Sequence, residues 1–230
     1  MLLPLMLQTL LGYTALLSGL ALSPGGLVVI VFMPLVGTLL HRYQPRWLVI
    51  YGVVVSAGGL LIMSRFNLYI DLRTAIWSRM VQSAGMAFLF VPISVAAVRM
   101  VPRDRMNYAT GLFNLARNIG GSSGIATVTT LLARRAQMHQ HNLVSHLTPY
   151  DPAYRDALRR ATELLHAHGA SLPDATRKAH GLLYGSMLRQ AAMLSFADAF
   201  WVMAVLFALI IPLMFLMKNT GPVQGPVVVE

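Results

Sequence analysis

Three polar side chains in an otherwise apolar stretch are the residues whose types and spacing point most directly to a site. Asn114, Arg117 and Asn118 lie in the first half of the run from Gly111 to Leu132. Separations of three and four residues place them on one face of a helix. An arginine in a run of membrane-spanning length is costly in lipid, so this face should meet a packed bundle or a watery cavity. We predict a cavity lining or a lock between helices; a structural arginine satisfied by neighbouring carbonyls is the alternative.

Small residues directly follow this polar face. Gly120, Gly121 and Gly124 leave no bulk on the helix, so a neighbouring backbone can approach closely, as in pairs of membrane helices. The same stretch matches the Gly-x-Ser-x-Gly pattern of a serine hydrolase, which needs a preceding strand and an acid and a histidine within reach. An apolar helical run precedes it instead, so we predict helix packing and no catalysis. Packing is also predicted for a second small-residue group, formed by Pro24, Gly25 and Gly26.

Histidines are concentrated in one segment, with six of the seven between residues 135 and 194. Two His-x-His pairs occur there, but neither has a cysteine or an acid at the compact spacing that metal sites use. The chain has no cysteine, so thiolate chemistry is not available to it. We therefore expect no metal, no cofactor and no enzymatic activity.

The composition is that of an integral membrane protein. Hydrophobic residues make up 56% of the 230 residues, charged residues only 11%, and the mean hydropathy is +0.62. This is more apolar surface than a soluble core of this length would bury. The formal net charge of +10 would suggest a nucleic-acid partner in a soluble protein. Here the basic residues sit between apolar runs, where the positive-inside rule places them, so no nucleic acid is expected.

Helices must position the candidate residues, and the apolar runs predict six membrane spans. The first ends near Leu11 and is short for a bilayer that needs about 20 residues, so the chain is predicted to begin inside a helix. The other five are predicted near residues 20–40, 47–64, 75–98, 111–132 and 199–217. The predicted domains are membrane helices over 1–134, an extracytoplasmic segment over 135–194, a last span over 195–217 and a tail over 218–230.

Basic residues in alternate loops set the predicted orientation. Six of them lie on one side, Arg42, Arg46, Arg99, Arg103, Arg105 and Lys218, and three on the other, Arg65, Arg73 and Arg79. The positive-inside rule places the larger set, and with it both termini, in the cytoplasm. In the external segment, helices are predicted to start at Asp151-Pro152 and at Pro173. We interpret them as two amphipathic helices that pack above the membrane domain or against a partner.

The loop after the second span carries a recognisable pattern. It reads Gly37-Thr38-Leu39-Leu40-His41-Arg42-Tyr43-Gln44-Pro45-Arg46 and resembles the second-half copy of the major facilitator signature Gly-x-Leu-x-Asp-Arg-x-x-x-Arg. Together with residues 7–13 and 111–124, it makes the chain similar to the fourteen-helix drug:proton antiporters of the EmrB/QacA group. The resemblance runs from Met1 to about Asp151 and resumes near Ala197. It implies an all-α integral membrane protein, the C-terminal part of a major facilitator bundle with about six transmembrane segments, the first truncated.

Further site residues belong to this loop and to the fourth span. A basic cluster at the ends of two helices can pair with acidic groups in one state and release them in another; a plain positive-inside anchor is the alternative. The predicted gate residues are Gly37, His41, Arg42, Pro45 and Arg46. His41 stands where the family pattern usually has an acid, so a charge pair made there by relatives is expected to be absent or pH-dependent. Cavity lining or ordinary helix packing is predicted for Gln82, Phe88 and Phe90.

The resemblance implies multidrug efflux, the proton-coupled export of amphipathic drugs or toxic organic compounds across the bacterial inner membrane. The expected partners are the lipid bilayer, small amphipathic substrates and protons. In double-membrane bacteria they also include a periplasmic adaptor, contacted by the external helices, and an outer-membrane channel. None of the eight acidic residues lies deep in a predicted span, so the proton-titrating carboxylate is expected outside this chain. A truncated, non-transporting membrane scaffold or partner-binding protein is the alternative.

Overall fold

Seven α-helices follow one another in the computed structural model, which describes residues 2–98 and 101–215. The first four are α1 (Leu2–Thr9), α2 (Ala15–Leu40), α3 (Pro45–Met63) and α4 (Leu72–Val98). A short 3-10 turn at Arg103–Arg105 leads into α5 (Met106–Val144), which is followed by α6 (Pro152–Ala167) and α7 (Leu172–Phe215). The predicted cytoplasmic tail, residues 218–230, lies outside the described residues, as does Arg99.

Local sequence explains where several of these helices begin. The Thr14 hydroxyl accepts a hydrogen bond from the Leu17 N–H and caps α2, while Pro45 occupies the first turn of α3. At α6, the Asp151 carboxylate accepts from the backbone N–H groups of Ala153 and Tyr154, with Pro152 in the first turn. The helix start predicted at Asp151-Pro152 is therefore confirmed. The start predicted at Pro173 falls one residue after the first residue of α7.

Asp71 marks the start of α4. Its carboxylate accepts a hydrogen bond from the Thr74 hydroxyl at 2.5 Å, and this bond is the main reason that the pKa of Asp71 lies below its ordinary value. Because the pKa of Asp71 is lowered in the folded state, its ionised carboxylate stabilises the fold at pH values above the ordinary aspartate pKa. The contribution is lost as the pH falls through the lowered folded value.

Four helices of the described chain are long and apolar enough to cross a membrane: Ala15–Leu40, Pro45–Met63, Leu72–Ala96 and Leu172–Phe215. Of the other two predicted spans, α1 is the short first one, with eight residues. The fifth lies within α5, a continuous helix of 39 residues that includes Asn114, Arg117 and Asn118 and is therefore less apolar. The chain is a multi-pass, all-α membrane protein.

Two helices are far longer than a bilayer requires. At 1.5 Å per residue, α5 with 39 residues measures about 58 Å and α7 with 44 about 66 Å, twice a hydrocarbon core of about 30 Å. The predicted boundaries at 134/135 and 194/195 fall inside these helices. Both are therefore long enough to extend beyond the bilayer. The helix α6 packs against α7, and the Tyr154 hydroxyl lies 2.7 Å from Nδ1 of His180.

The tightest packing in the bundle joins α3 and α4 through glycines. A Cβ atom added at Gly59 would lie 2.8 Å from the Gln82 backbone nitrogen, and one at Gly85 would lie 2.5 Å from the Ser56 backbone nitrogen. With Gly52, the α3 residues Ser56 and Gly59 form a stripe of small residues three and four apart, which allows two backbones to meet. The Ser56 hydroxyl also donates to the Gln82 carbonyl at 3.4 Å. These contacts hold α4 against α3 at the depth of Gln82.

Candidate transport cavity

A cavity of about 350 Å³ lies among α1, α2, α3, α4, α5 and α7. Most of its wall is apolar, with Leu2 and Leu3 from α1, Met63 from α3, and Phe200 and Met203 from α7. The volume falls in the range of roughly 300–1,000 Å³ that is usual for small-molecule sites. The cavity can therefore hold an apolar molecule or the apolar part of a larger one.

Arg79 and Gln82 provide the polar groups that α4 contributes to this wall. The Arg79 Nη1 donates to Oε1 of Gln82 at 2.7 Å, and the buried Nε–H of Arg79 has no hydrogen-bond partner among the described residues. Gly25 of α2 makes room for this side chain, because a Cβ atom there would lie 3.1 Å from Cγ of Arg79 and 2.7 Å from Oγ of Ser83. No acidic side chain of the described residues lies within ion-pair distance of Arg79.

Sequence reasoning used Arg79 only to count charges and did not place it in a site. The signal that identifies it is the one that singled out Arg117, an arginine inside an apolar run of spanning length. Arg79 lies about two turns after the start of α4, so it could equally have been assigned to the edge of the span. Its interior position follows from the packing of α2 against α4, which residue spacing does not show.

Of the residues predicted as cavity candidates, Gln82 lines the cavity itself. The glycines at 120, 121 and 124, which were predicted to pack helices, also line it. Arg117 lies outside this cavity, with its guanidinium 5.3 Å from the centre of the exposed Phe90 ring, a cation–π arrangement between α5 and α4. Asn114 and Asn118 share the exposed surface of α5 with Arg117.

Of the two roles predicted for Phe88, cavity lining and ordinary helix packing, the structure favours packing. Phe88 is 6% exposed and makes edge-on contacts with the rings of Tyr51 and Phe32, at centroid distances of 4.9 and 5.8 Å. It also belongs to the apolar cluster of Val36, Leu40, Leu48 and Val91. Phe88 points toward α2 and α3 because it lies one turn beyond Gly85 on the face of α4 that packs there. It therefore does not line the cavity.

The residues predicted to pack helices differ in whether another helix lies against them. Gly25 lies in a tight contact with α4, whereas a Cβ atom added at Gly26, Gly120, Gly121 or Gly124 would meet no atom within 4 Å. Pro24 is half-buried within α2. Within the described part of the chain, Gly120, Gly121 and Gly124 of α5 therefore border the cavity and are not packed against another helix.

The predicted gate loop joins α2 to α3. His41 caps the C-terminus of α2, Arg42 is exposed, and Gly37 is half-buried one turn earlier. Pro45 is buried in the first turn of α3, and the Arg46 guanidinium lies 5.4 Å from the centre of the Trp47 ring. This arrangement presents two arginines at one end of two adjacent helices, as a gate contact or a positive-inside anchor would require.

The fold is that of a polytopic, all-α membrane protein with a mostly apolar cavity between its helices. Residues 1–133 match the family model described as Major Facilitator Superfamily, and the chain belongs to this superfamily.

The curated relatives that the chain matches include proteins named for fatty acid resistance and for multidrug export. The chain is 27% identical over 217 residues to the fatty acid resistance protein FarB of Neisseria gonorrhoeae, covering 94% of this chain and 41% of FarB. It is 26% identical over 218 residues to the multidrug export protein EmrB of Escherichia coli K12, with 94% of this chain and 41% of EmrB covered. The resemblance to the EmrB group is confirmed. The chain spans about two fifths of the length of these relatives.

Proposed function

We propose that the chain forms the C-terminal part of a proton-coupled efflux transporter that exports amphipathic drugs or toxic organic compounds across the inner membrane. The observation that carries the proposal is the mostly apolar cavity with one guanidinium and one amide in its wall. Relatives named for fatty acid resistance and multidrug export support this cargo class. In this proposal both termini are cytoplasmic and the loop of His41, Arg42 and Arg46 forms part of the cytoplasmic gate.

The long α5 helix supports assembly into a larger bundle. None of its described residues is buried, although it carries the Arg117 face and the glycines of the cavity wall. Further helices must cover this surface to complete a transport pathway. In the proposed transporter, those helices also bring the carboxylate that titrates with protons, since no described acid faces the cavity.

Arg117→Ala is expected to reduce efflux roughly fivefold, because it removes a cation–π contact of about 1 kcal/mol that joins α5 to α4 beside the pathway. The measurement is dye and drug efflux from cells that produce the protein from its native reading frame, including any codons upstream of Met1. Arg134→Ala, an exposed arginine on the same helix, is the matched control. Unchanged efflux in Arg117→Ala would remove Arg117 from the site. An absence of efflux in the unmodified protein would favour the scaffold function.

A periplasmic adaptor is the partner we propose for the tip formed by α6 and α7. Leu164 and Leu172 leave 61% and 60% of their surface exposed on either side of the turn at Gly169. The double variant Leu164→Ser with Leu172→Ser is expected to lose most adaptor co-purification. Tyr69→Ser, in the loop between α3 and α4 and 94% exposed, is the control on the same proposed side of the membrane. Equal adaptor recovery from the double variant and the control would exclude this contact.

A further inference from the structure

Arg79 gives the wall of the cavity a positive charge, and no acidic side chain among the described residues lies within ion-pair distance of it. The Gln82 amide accepts a hydrogen bond from Nη1 of Arg79 but, being uncharged, does not neutralise the guanidinium. A partly buried guanidinium without a counter-ion is unfavourable, and an anion that supplies acceptor oxygens relieves the cost. Among the described residues, none of the groups that line the cavity is acidic.

The fold is built to keep this arginine in place. Gly25 of α2 leaves the space that the Arg79 stem occupies, and the α3 glycines bring the backbone of Gln82 close to α3. The guanidinium is therefore anchored at a fixed depth beside the apolar wall formed by Met63, Phe200 and Met203. A site with one fixed cation next to an apolar surface is complementary to a molecule with an anionic head and an apolar tail.

We propose that Arg79 selects amphipathic carboxylates, whose head group binds the guanidinium while the tail lies against the apolar wall. The proposal rests on the proposed transport function and names the cargo charge that this cavity accepts. Arginine suits a carboxylate because several N–H donors in one plane can bind its two oxygens, and such charge-assisted bonds are stronger than neutral ones. The same charge repels a cationic head group, so quaternary ammonium compounds with the same tail are excluded from this cavity.

Equilibrium binding of radiolabelled dodecanoate to the purified protein in zwitterionic nanodiscs tests this assignment without requiring transport. At about pH 8 the carboxylate is ionised. Dodecanoate is expected to bind about tenfold more tightly than dodecanol, the neutral probe with the same tail, and dodecyltrimethylammonium is expected not to compete. Arg79→Gln should lose that tenfold preference but keep dodecanol binding, which shows that the variant is folded. Arg79→Lys should retain part of the preference.

Arg73→Gln is the matched control, since it removes an exposed arginine from the first turn of the same helix and should leave all three probes unaffected. Equal affinity for dodecanoate and dodecanol in the unmodified protein would overturn the proposal and indicate that an acidic group from elsewhere already occupies Arg79. Phosphatidylglycerol added to the nanodisc provides a competing anionic head group. If it displaces dodecanoate from the unmodified protein but not from Arg79→Gln, the proposal is overturned in favour of a lipid head group. If the protein exports no substrate but still prefers dodecanoate over dodecanol, the transport function is overturned and the binding assignment stands.

Discussion

Gly59→Leu is expected to destabilise the protein by about 3 kcal/mol or more, whereas Gly58→Leu, one position earlier, is expected to be tolerated. A Cβ atom at Gly59 would lie 2.8 Å from the backbone nitrogen of Gln82, and a backbone atom cannot move aside as the end of a flexible side chain can. The same atom at Gly58 would meet nothing within 4 Å. Both substitutions improve helix propensity by a similar amount, so the difference between them measures the contact of α3 with α4.

The comparison requires the thermal melting and the monodisperse yield of both variants, purified in the same detergent. We expect Gly59→Leu to give little monodisperse protein and a much lower melting temperature, and Gly58→Leu to match the unmodified protein. Equal melting temperatures for the two variants would show that α3 and α4 do not meet through this glycine. Because Gln82 lies in the same contact, Gly59→Ala should also shift the Arg79–Gln82 pair and weaken dodecanoate binding.

Helical periodicity predicted which residues share a face, but it did not predict which faces meet. The cap at Asp151 and the small-residue group at Gly25 could be found because each depends on neighbours in sequence or on residue size alone. The contact between Gly59 and Gln82 joins residues 23 positions apart on two helices, and neither helix is strongly amphipathic. Composition therefore gives no indication of their mutual orientation.

Pairs of charged residues near the ends of the spans are a second feature that the sequence does not predict. The sequence places Asp198 outside the depth of a span and places Arg135 and His139 in an external segment, but it does not indicate that the three residues meet. The three residues come together because α5 and α7 both continue past the predicted edges of their spans and lie side by side. Sequence reasoning could have paired them only with knowledge of how far each helix extends.

Asp198→Ala is expected to loosen α5 from α7 and cost about 1–3 kcal/mol. The Asp198 carboxylate lies 2.8 Å from Nε2 of His139 and 3.5 Å from Nη1 of Arg135, two residues one turn apart on α5. The His139 side chain is 19% exposed, so its hydrogen bond supplies most of the effect, and the more exposed Arg135 pair contributes less. A double-mutant cycle with His139→Ala should give a coupling energy of about 1 kcal/mol.

The chain contains no cysteine, so a thiol-reactive label attaches only at cysteines that are introduced for the purpose. The position of α5 can therefore be measured directly. Spin labels on cysteines introduced at the exposed residues Gln137 of α5 and Gln190 of α7 report the distance between the helices. Asp198→Ala should broaden that distance distribution. Asp156→Ala, which removes an exposed carboxylate on α6 with a 3.7 Å contact to Arg159, should not. An unchanged distribution in Asp198→Ala would show that apolar contacts of Val128, Leu131 and Leu132 alone hold α5.

The effect of Asp198→Ala should extend to the cavity, because α5 supplies Gly120, Gly121 and Gly124 to its wall. If α5 is free to shift, one side of the cavity opens and no longer confines the apolar tail against Met63, Phe200 and Met203, while the guanidinium stays in place. Asp198→Ala is therefore expected to weaken dodecanoate and dodecanol by the same factor, unlike Arg79→Gln, which affects only the carboxylate. This difference separates a residue that positions the wall from one that recognises the head group.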